Sequence, residues 1–316
     1  MPRVSAIVIH YGRGEFTARL AAQLLALGSA PEVIIVDNAA EQPFDAAAFP
    51  GLHCLRLEEN RGYGHACNRG AATATGEYLF ILNNDLEFPD DPLPALLRAM
   101  DARPDAGAAG PALRFPDGRF RLSFGEKPTL FSEFREKRRQ EQSRGGGGTQ
   151  LDARAREARD PLEPHWITGA CMLIRRAAWE AVAGFDEAYF FYFEDTDLCT
   201  RLRRAGYTVL YRPEAVVMHY GGGSAPLADP RIVVSYRREQ LRYYARYNSR
   251  VSFALLRRYL LWKFARLARD GGIDPATAET LSRVIRGFDA TTERARARET
   301  ALRSRTSTGT ATEKRT

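Results

Sequence analysis

The feature that most constrains the fold is a pattern in the N-terminal part of the chain, in which short apolar runs end in polar side chains. Such runs are Val4–Tyr11, Val33–Asn38 and Glu77–Asp85. Continuous apolar runs are typical of parallel strands that are buried on both faces. Between the first two runs, apolar residues recur at helical spacing from Phe16 to Leu27. This order predicts a crossover unit of an α/β fold, with ligands bound at the carboxyl ends of the strands.

Polar side chains at the ends of the first two predicted strands are candidates for nucleotide binding. They are His10, Tyr11, Asp37 and Asn38. An aspartate in this position can accept a hydrogen bond from a ribose hydroxyl or a base N–H, and it can equally close an Asx-turn. The residues alone leave both interpretations open.

A glycine pair follows the third predicted strand, Leu52–Leu57, and precedes a helix. Gly62 and Gly64 let the backbone approach a ligand closely, and the helix offers its N-terminal amides to a phosphate. The pattern is neither GxGxxG nor a Walker A loop, and glycine turns before helices are common.

The fourth predicted strand runs into Asn83, Asn84 and Asp85. A carboxylate at a strand end can bind a hard divalent cation, which prefers oxygen ligands and shares them with substrate phosphates. The alternative is a turn rich in Asn and Asp that is stabilised by side chain–backbone hydrogen bonds.

An acidic stretch, Glu194–Asp197, follows the aromatic run Phe190–Phe193 and begins a predicted helix. Acidic residues favour any helix N-terminus. Helical spacing also turns Asp195 toward the covered face, and a carboxylate that is partly desolvated by aromatic rings is a stronger base. Asp197 and Arg201 have the spacing of a surface ion pair.

Taken in order, these motifs resemble glycosyltransferase family 2 and, within it, the bacterial rhamnosyltransferase-like group. The resemblance runs from about Val4 to about Gly223 and rests on Asp37, Asn60-x-Gly62, Asn68-x-Gly70, Asn83-x-Asp85 and Glu194-Asp195-x-Asp197. It implies a GT-A fold of the α/β class, in which helices flank a mixed sheet that binds a nucleotide-diphospho-sugar. A C-terminal helical extension follows this domain.

The strand ends and the resemblance together predict the donor site. Its nucleotide pocket is formed by His10, Tyr11, Asp37, Asn60, Gly62, Asn68, Asn83 and Asn84. The resemblance implies that Asp37 contacts the nucleobase. The resemblance matches Asp85 to the last residue of a DxD motif that binds a divalent cation, Mg²⁺ or Mn²⁺. Asn83 replaces the first Asp of that motif and leaves fewer charged ligands. The resemblance also implies that His219 binds the metal or the diphosphate.

The resemblance matches Asp195 to the general base of the family, with Glu194 in support. It makes Trp166 and Gly169 candidates for the sugar site, and it places Asp197 near the sugar or the acceptor. In an inverting transfer an acceptor hydroxyl attacks the anomeric carbon, and one carboxylate must take the hydroxyl proton. No covalent sugar intermediate is required.

The expected reaction is transfer of rhamnose from dTDP-rhamnose to a cell-surface glycan or a lipid-linked acceptor. The same chemistry with another donor, UDP-galactofuranose or a UDP-hexose, is one alternative. A non-catalytic nucleotide-sugar-binding protein of the same fold is another, and it would not need a base at Asp195.

The domain organisation follows changes in composition. The predicted parts are a catalytic domain at 1–228, a basic helical extension at 229–286 and a disordered tail at 287–316. Within the catalytic domain they are a nucleotide-binding half at about 1–115, a mobile loop at about 133–160 and a catalytic half at about 161–228. The loop is rich in Arg, Glu, Gln and Gly and has no core-forming pattern.

The net charge of +7 arises mainly in the Arg-rich C-terminal part. The predicted basic helix from Pro230 to about Asp270 suits an anionic membrane surface, and it equally suits packing on the catalytic domain with Arg in water. No recognised nucleic-acid-binding module accompanies the charge.

Four cysteines without CxxC spacing, an N-terminus without a signal-peptide pattern and no long uncharged apolar run predict a cytoplasmic protein. Because of its basic helix, we expect this cytoplasmic protein to bind peripherally to the inner face of the cell membrane.

Overall fold

A computed structural model describes residues 3–135, 158–221, 229–297 and 299. The chain forms two compact units. Unit 1 comprises Met1–Lys127, Arg138–Ala188 and Glu194–Ser224, and unit 2 comprises Pro128–Lys137, Tyr189–Phe193 and Ala225–Thr316. The predicted division at residue 228 stays a prediction, and two short internal segments of the predicted catalytic domain belong to unit 2.

Unit 1 alternates strands and helices. Its strands are β1 Val4–His10, β2 Glu32–Asp37, β3 Leu52–Arg56, β4 Tyr78–Asn83, β5 Leu86–Glu87, β6 Ala106–Arg114, β7 Phe120–Arg121, β8 Phe124–Gly125, β9 Trp166–Ile167, β10 Cys171–Arg175 and β11 Thr208–His219. Its helices are α1 Gly14–Ala26, α2 Tyr63–Thr73, α3 Leu93–Asp101, α4 Arg176–Ala181 and α5 Glu194–Arg204. A 3₁₀ turn spans Ala46–Ala48.

Nine strands in the described part of unit 1 form one mixed sheet in the order β3-β2-β1-β4-β10-β6-β11-β5, with β7 paired to β6. The segment from β3 to β4 is parallel, as predicted. Strand β10 runs antiparallel to both of its neighbours, and β6 and β11 are parallel to each other. Strands β8 and β9 pair separately.

The central strands of the sheet are buried on both faces because they are largely apolar, as in β1, β4 and β10. All seven residues of β1 are buried. Helix α1 covers one face with Leu20 and Leu24, while α2 and α5 cover the other. Helix α2 lies so close to the sheet that a Cβ atom on Gly70 would be 2.5 Å from Ile7 Cγ2. Only glycine permits this approach.

The apolar pattern of the sequence indicates two short strands, at 207–211 and 215–218, but the structure has the single strand β11 there. It is one strand with a register shift between Arg212 and Val216. Pro213 lies within the shift, and proline has no N–H to donate to a neighbouring strand. A bulge therefore accounts for the break in the sequence pattern.

Most of the predicted mobile loop, residues 136–157, lies outside the described residues. Its first residues, 133–135, are helical and belong to a segment that begins at Leu130.

Unit 2 contains α6 Pro230–Tyr247, α7 Arg250–Arg269 and α8 Pro275–Gly287. The prediction of one continuous basic helix is wrong, because the chain breaks at Asn248 and Ser249. Asn248 is extended, and the Ser249 hydroxyl accepts a hydrogen bond from Ser252 N–H at 3.1 Å, which caps a new helix.

Residues 290–297 are helical, so the prediction of disorder from residue 287 does not hold for this segment. Glu293 is buried there and forms ion pairs with Arg242 and Arg246. No helix in the described ranges is both long enough and apolar enough to cross a membrane.

Candidate active site

The carboxyl ends of three parallel strands lie level at one edge of the sheet. His10 of β1 is in register with Asp37 of β2, and Ile9 is in register with Asn83 of β4. Strand β10 begins at the same edge, because Ala170 O accepts a hydrogen bond from Asn83 N–H at 2.9 Å. The sheet therefore brings the predicted base and nucleotide residues to one edge, where α/β folds bind ligands.

The carboxylate of Asp195 is held by backbone donors at the start of α5. Gly169 N–H donates to Oδ2 at 3.0 Å, and Thr196 N–H donates to Oδ1 at 2.6 Å. The carbonyl of Gly169 in turn accepts a hydrogen bond from the Tyr63 hydroxyl at 2.7 Å. Tyr63 joins α2 to the carboxylate in this way, a role that the sequence motif did not reveal.

Burial raises the pKa of Asp195 above its ordinary value, although the N–H donors of Gly169 and Thr196 act in the opposite direction. The side chain keeps partial contact with solvent. A carboxylate that is desolvated but accessible is a stronger base than an ordinary aspartate, which suits proton abstraction from a hydroxyl.

The two other acidic residues of α5 are enclosed. Glu194 is buried next to Asp195. Asp197 pairs with Arg201 at 2.7 Å, and this pair is buried rather than at the surface as expected. Arg201 also donates to the carbonyls of Val182 and Gly184. The pair therefore ties α5 to the preceding turn, and a contact of Asp197 with the sugar or acceptor stays a prediction.

Asp85 and His219, the two residues predicted to bind the metal, lie close together in the structure, and their binding of a metal stays a prediction. His219 Nε2 lies 3.2 Å from Asp85 Oδ1, and Gly221 N–H donates to Asp85 Oδ2 at 3.0 Å. Burial opposes ionisation of Asp85, but the hydrogen bond and charge of His219 and the nearby charge of Arg121 outweigh it, so the pKa of Asp85 is lowered.

The carboxylate of Asp85 suits a divalent cation of the Mg²⁺ type, and the imidazole nitrogen of His219 lies beside it. Metal–ligand distances of about 2.1 Å allow one ion to contact two atoms that are 3.2 Å apart. Such ions commonly use one or two protein ligands and complete their shell with water and substrate phosphates. Within the described residues, no larger group of His, Cys, Asp or Glu converges on a single point.

Arg121 is a candidate that the sequence analysis missed. Its Nη1 donates to His219 O at 3.2 Å, and a Cβ atom on Gly221 would lie 2.2 Å from the same nitrogen. Burial lowers the pKa of Arg121, and the charge of Asp85 raises it. Among the described residues the guanidinium has one protein acceptor, so most of its donors remain available to an anion. No sequence signal links Arg121 to His219, because the register of β7 beside β6 places it there.

Several predicted nucleotide residues make internal hydrogen bonds. His10 is buried, with Nδ1 2.7 Å from Thr17 Oγ1 and Nε2 2.9 Å from Gln42 O. Asn84 donates to Tyr11 O and to Thr17 Oγ1. Tyr11 itself is exposed. The buried side chains of His10 and Asn84 therefore stabilise the strand ends through internal hydrogen bonds. Tyr11 is exposed, so a ligand can reach it.

The carboxylate of Asp37 closes a local turn and forms an ion pair. Its carboxylate accepts hydrogen bonds from the N–H groups of Ala40 and Phe44, at 2.9 and 3.3 Å, and from Arg56 at 2.9 Å. The contact with Ala40 N–H closes a local turn that spans one residue more than an Asx-turn. A contact with a base stays a prediction.

Asn60 accepts hydrogen bonds from Asn38 at 3.1 Å and from Gly62 N–H at 2.9 Å. Gly62 has a positive φ of 106°, which favours glycine. Asn68 is bound on both sides of its amide by the backbone of Phe185. These contacts position the loop that precedes α2 and the turn that it faces.

The side chain of Trp166 donates to Glu126 O at 3.0 Å and packs against Gly125. Gly169 allows the close approach of Asp195, since a Cβ atom would lie 3.3 Å from that of the aspartate. The structure thus brings Gly169 into contact with the predicted base, Asp195. The predicted sugar contacts of both residues stay predictions.

Sequence comparison decides the family. Residues 5–182 match the profile of the family described as Glycosyl transferase family 2, and residues 152–271 match Glycosyl transferase family group 2. The chain belongs to glycosyltransferase family 2. It is therefore a glycosyltransferase, and the recognition of this family from its motifs is confirmed.

Known members of the family show where this chain is similar. It is 32% identical over 241 residues to an N-acetylglucosaminyl-diphospho-decaprenol L-rhamnosyltransferase of Mycobacterium tuberculosis. The aligned region covers 68% of this chain and 75% of the relative. This likeness agrees with the rhamnosyltransferase-like group.

Solved glycosyltransferases share the fold. GalNAc-T7, crystallised with UDP, GalNAc and Mn²⁺, superposes with a TM-score of 0.53 at 12% identity, over 77% of this chain and 50% of that one. TarS 1–349 of S. aureus, in complex with UDP, gives a TM-score of 0.50 at 16% identity, over 77% of this chain and 64% of that one. The predicted GT-A fold is confirmed.

Proposed function

We propose that this family 2 glycosyltransferase moves rhamnose from dTDP-rhamnose to a lipid-linked or cell-surface glycan, with inversion at the anomeric carbon. The mycobacterial relative is named for an L-rhamnosyl transfer to a diphospho-decaprenol-linked sugar, and this supports both the sugar and the acceptor class. The observation that carries the chemistry is the single basic carboxylate of Asp195, positioned by Gly169 and Thr196 at the ligand-binding edge.

Asp195 acts as the general base in this proposal. The acceptor hydroxyl donates its proton to the carboxylate as it attacks the sugar, so the attacking oxygen gains negative charge without becoming free alkoxide. The backbone donors on both carboxylate oxygens fix the direction of proton transfer, which is the contribution of preorganisation. One base suffices, because a single displacement inverts the anomeric centre.

Asp85, His219 and Arg121 form the diphosphate side of the site. The first two residues would hold a divalent cation, Mg²⁺ or Mn²⁺, which when bound would neutralise charge on the departing nucleotide diphosphate. Arg121 adds a fixed positive charge with free donors on the same side of the site. The crystallisation of GalNAc-T7 with Mn²⁺ and UDP supports a metal in this role.

The nucleoside lies, in the same proposal, over the ends of β1 and β2. Tyr11 offers an exposed ring, and Asp37, Asn60 and Gly62 shape the pocket wall. Trp166, Asp197 and Glu194 surround the sugar side. Because the acceptor is lipid-linked, the enzyme works in the cytoplasm in peripheral contact with the inner face of the membrane.

Calorimetric titration tests the donor assignment. The protein is titrated with dTDP-rhamnose, UDP-galactose, UDP-N-acetylglucosamine and GDP-mannose, each with and without Mn²⁺. We expect binding of dTDP-rhamnose that depends on the metal, followed by release of dTDP when a lipid-linked acceptor is added. If only a UDP-sugar showed metal-dependent binding, that UDP-sugar would replace dTDP-rhamnose as the proposed donor. Binding of donor without any turnover would favour a non-catalytic role.

A further inference from the structure

Helix α7 has two apolar faces. One is buried in the core of unit 2 and consists of Phe253, Leu256, Leu260 and Phe264. The other is exposed and consists of Val251, Leu255, Tyr259 and Trp262, which we call the outer stripe. At about 100° per residue, the four positions of the outer stripe fall within an arc of roughly 80° on the side opposite the core.

The outer stripe is too continuous to be a random set of surface residues. Its members expose 69%, 52%, 37% and 53% of their surface, in chain order. Single exposed apolar residues are normal, but a contiguous row marks a surface that binds something. Tyr259 and Trp262 are neighbours, with ring centroids 6.1 Å apart, and the Arg266 guanidinium lies 5.6 Å from the Trp262 ring.

The charge of the helix identifies the chemistry of its partner. Helix α7 contains no acidic residue and six basic ones, namely Arg250, Arg257, Arg258, Lys263, Arg266 and Arg269. At helical spacing, Arg258, Arg266 and Arg269 project within or beside the outer stripe. The partner therefore presents an apolar layer together with negative charge.

A second copy of this chain does not meet that description. In a two-fold dimer the same surface faces itself, so the basic residues of one copy would approach those of the other. Like charges at short range repel, and at the described end of this helix Asp270 offsets only Arg266, at 3.3 Å. An anionic bilayer surface meets both requirements, because Trp, Tyr and Leu enter the headgroup region while Arg side chains reach the phosphates.

We propose that the outer stripe of α7 docks the protein on an anionic membrane surface. The inference rests on the proposed lipid-linked acceptor, for which it supplies the contact face. The sequence left two interpretations of the basic helix, contact with a membrane and packing on protein. In this proposal α7 does both, because one face packs on protein and the opposite face contacts lipid. The helix lies in the plane of the interface, since its inner face is covered by protein.

Vesicle flotation of the full chain tests the surface without any donor or acceptor. We expect binding to vesicles of phosphatidylcholine with about one-third phosphatidylglycerol, and little binding to phosphatidylcholine alone. Each basic residue near such a surface strengthens binding about five-fold. Arg258→Gln with Arg266→Gln should therefore weaken binding roughly 25-fold, and added salt should act in the same direction.

The apolar contribution is tested separately by Leu255→Gln with Trp262→Gln, which leaves the charge unchanged. We expect a loss of binding on the order of ten-fold, because half-exposed Leu and Trp surface no longer enters the interface. Two matched controls should bind as the wild type does. Arg231→Gln with Arg283→Gln removes two exposed charges elsewhere in unit 2, and Leu25→Gln removes an exposed leucine of α1.

Lipid-specific quenching adds a direct measure of contact. Trp262 is exposed whereas Trp179 is buried, so brominated lipids should quench the wild type more than Trp262→Phe. Equal flotation of all variants, or binding that ignores lipid charge, would overturn the proposal. So would a wild-type dimer in sedimentation analysis that Leu255→Gln with Trp262→Gln dissociates. Donor binding by calorimetry is independent of these results, so failure of the docking surface and failure of the proposed reaction remain distinguishable.

Discussion

Asp85 and Asp195 are the same chemical group at the same edge of one sheet, but their surroundings move their pKa values in opposite directions. Burial dominates at Asp195 and raises its pKa. At Asp85 burial is outweighed by the hydrogen bond and charge of His219 and by the charge of Arg121, so its pKa is lowered. One carboxylate is prepared to accept a proton, and the other is prepared to remain an anion.

The two pKa shifts suit two different roles for aspartate, that of a general base and that of a cation ligand. A sequence motif does not distinguish these roles. A general base must hold a proton during the reaction, which a raised pKa favours. A cation ligand must stay ionised, which basic neighbours favour. Divergent pKa values in paired carboxylates are a recurrent way to divide such tasks. The following predictions test whether the two environments have these consequences.

The largest expected effect is that of Asp195→Asn. Loss of the base should lower kcat between about a hundred- and ten-thousand-fold. Donor affinity should stay within about two-fold, because the proposed diphosphate contacts do not include this residue. Transfer assays and calorimetry measure the two quantities. Asp90→Asn, at an exposed aspartate, is the control and should leave both unchanged. A comparable loss of donor binding in Asp195→Asn would instead indicate a structural role.

Asp85→Asn should act on binding. We expect the affinity for dTDP measured with Mn²⁺ to fall about a hundred-fold, since even changes next to a metal ligand cost up to that amount. His219→Ala should behave alike. Calorimetry with and without the metal is the measurement, and the difference between the two titrations should largely disappear. If both variants keep the full metal dependence, the cation is held elsewhere.

Arg121→Gln should weaken binding of dTDP about ten-fold, which is the usual loss for a hydrogen bond to a charged group. Binding of dTMP should hardly change, because the second phosphate is absent. Arg119→Gln is a matched control in the same hairpin, since Arg119 is exposed and pairs with Asp117. Equal losses for dTDP and dTMP would show that Arg121 supports the local fold rather than the diphosphate.

The smallest expected effect concerns stability and has opposite signs at the two positions. A raised folded pKa means that ionised Asp195 costs stability once the pH exceeds the unfolded value of about 3.9. A lowered folded pKa means that Asp85 contributes stability above that value and loses it as the pH falls through its folded pKa.

In metal-free protein at neutral pH, Asp195→Asn should therefore raise Tm and Asp85→Asn should lower it, each by about 2 to 4 °C. Thermal unfolding followed by circular dichroism measures this. The Asp85→Asn difference should vanish in acid. Shifts of the same sign would contradict the assigned environments.

The parallel strands and their order in the chain were predictable from sequence. Their apolar runs are continuous, and polar residues mark their ends at His10, Asp37 and Asn83. The break of β11 was misleading, because Pro213 interrupts the sequence pattern while a bulge preserves the strand. Glu293 escaped prediction because its burial depends on Arg242 and Arg246, which are distant in sequence.

The sequence supplied candidate residues for the site, but it did not show the environment that gives each of them its chemical properties. Their positions in the sequence and the family resemblance made Asp195 and Asp85 candidates, but no sequence feature indicates that the Tyr63 hydroxyl donates to the carbonyl of Gly169. Arg121 is placed by strand register alone, so no local pattern could identify it. Contacts between distant segments decide burial and charge, and these in turn decide the pKa of each carboxylate.

The strand order has a consequence for how the molecule is made. The parallel part, from β3 to β4, is built from consecutive segments, whereas β10 and β11 reach their places beside β4 and β6 from far along the chain. Pairings between distant segments form slowly, because long loops must close first. We therefore expect a newly synthesised chain to complete its nucleotide half early. The proposed base Asp195 and the proposed ligand His219 arrive with the late strands, so on this proposal the ability to transfer sugar is gained in the last stage of folding.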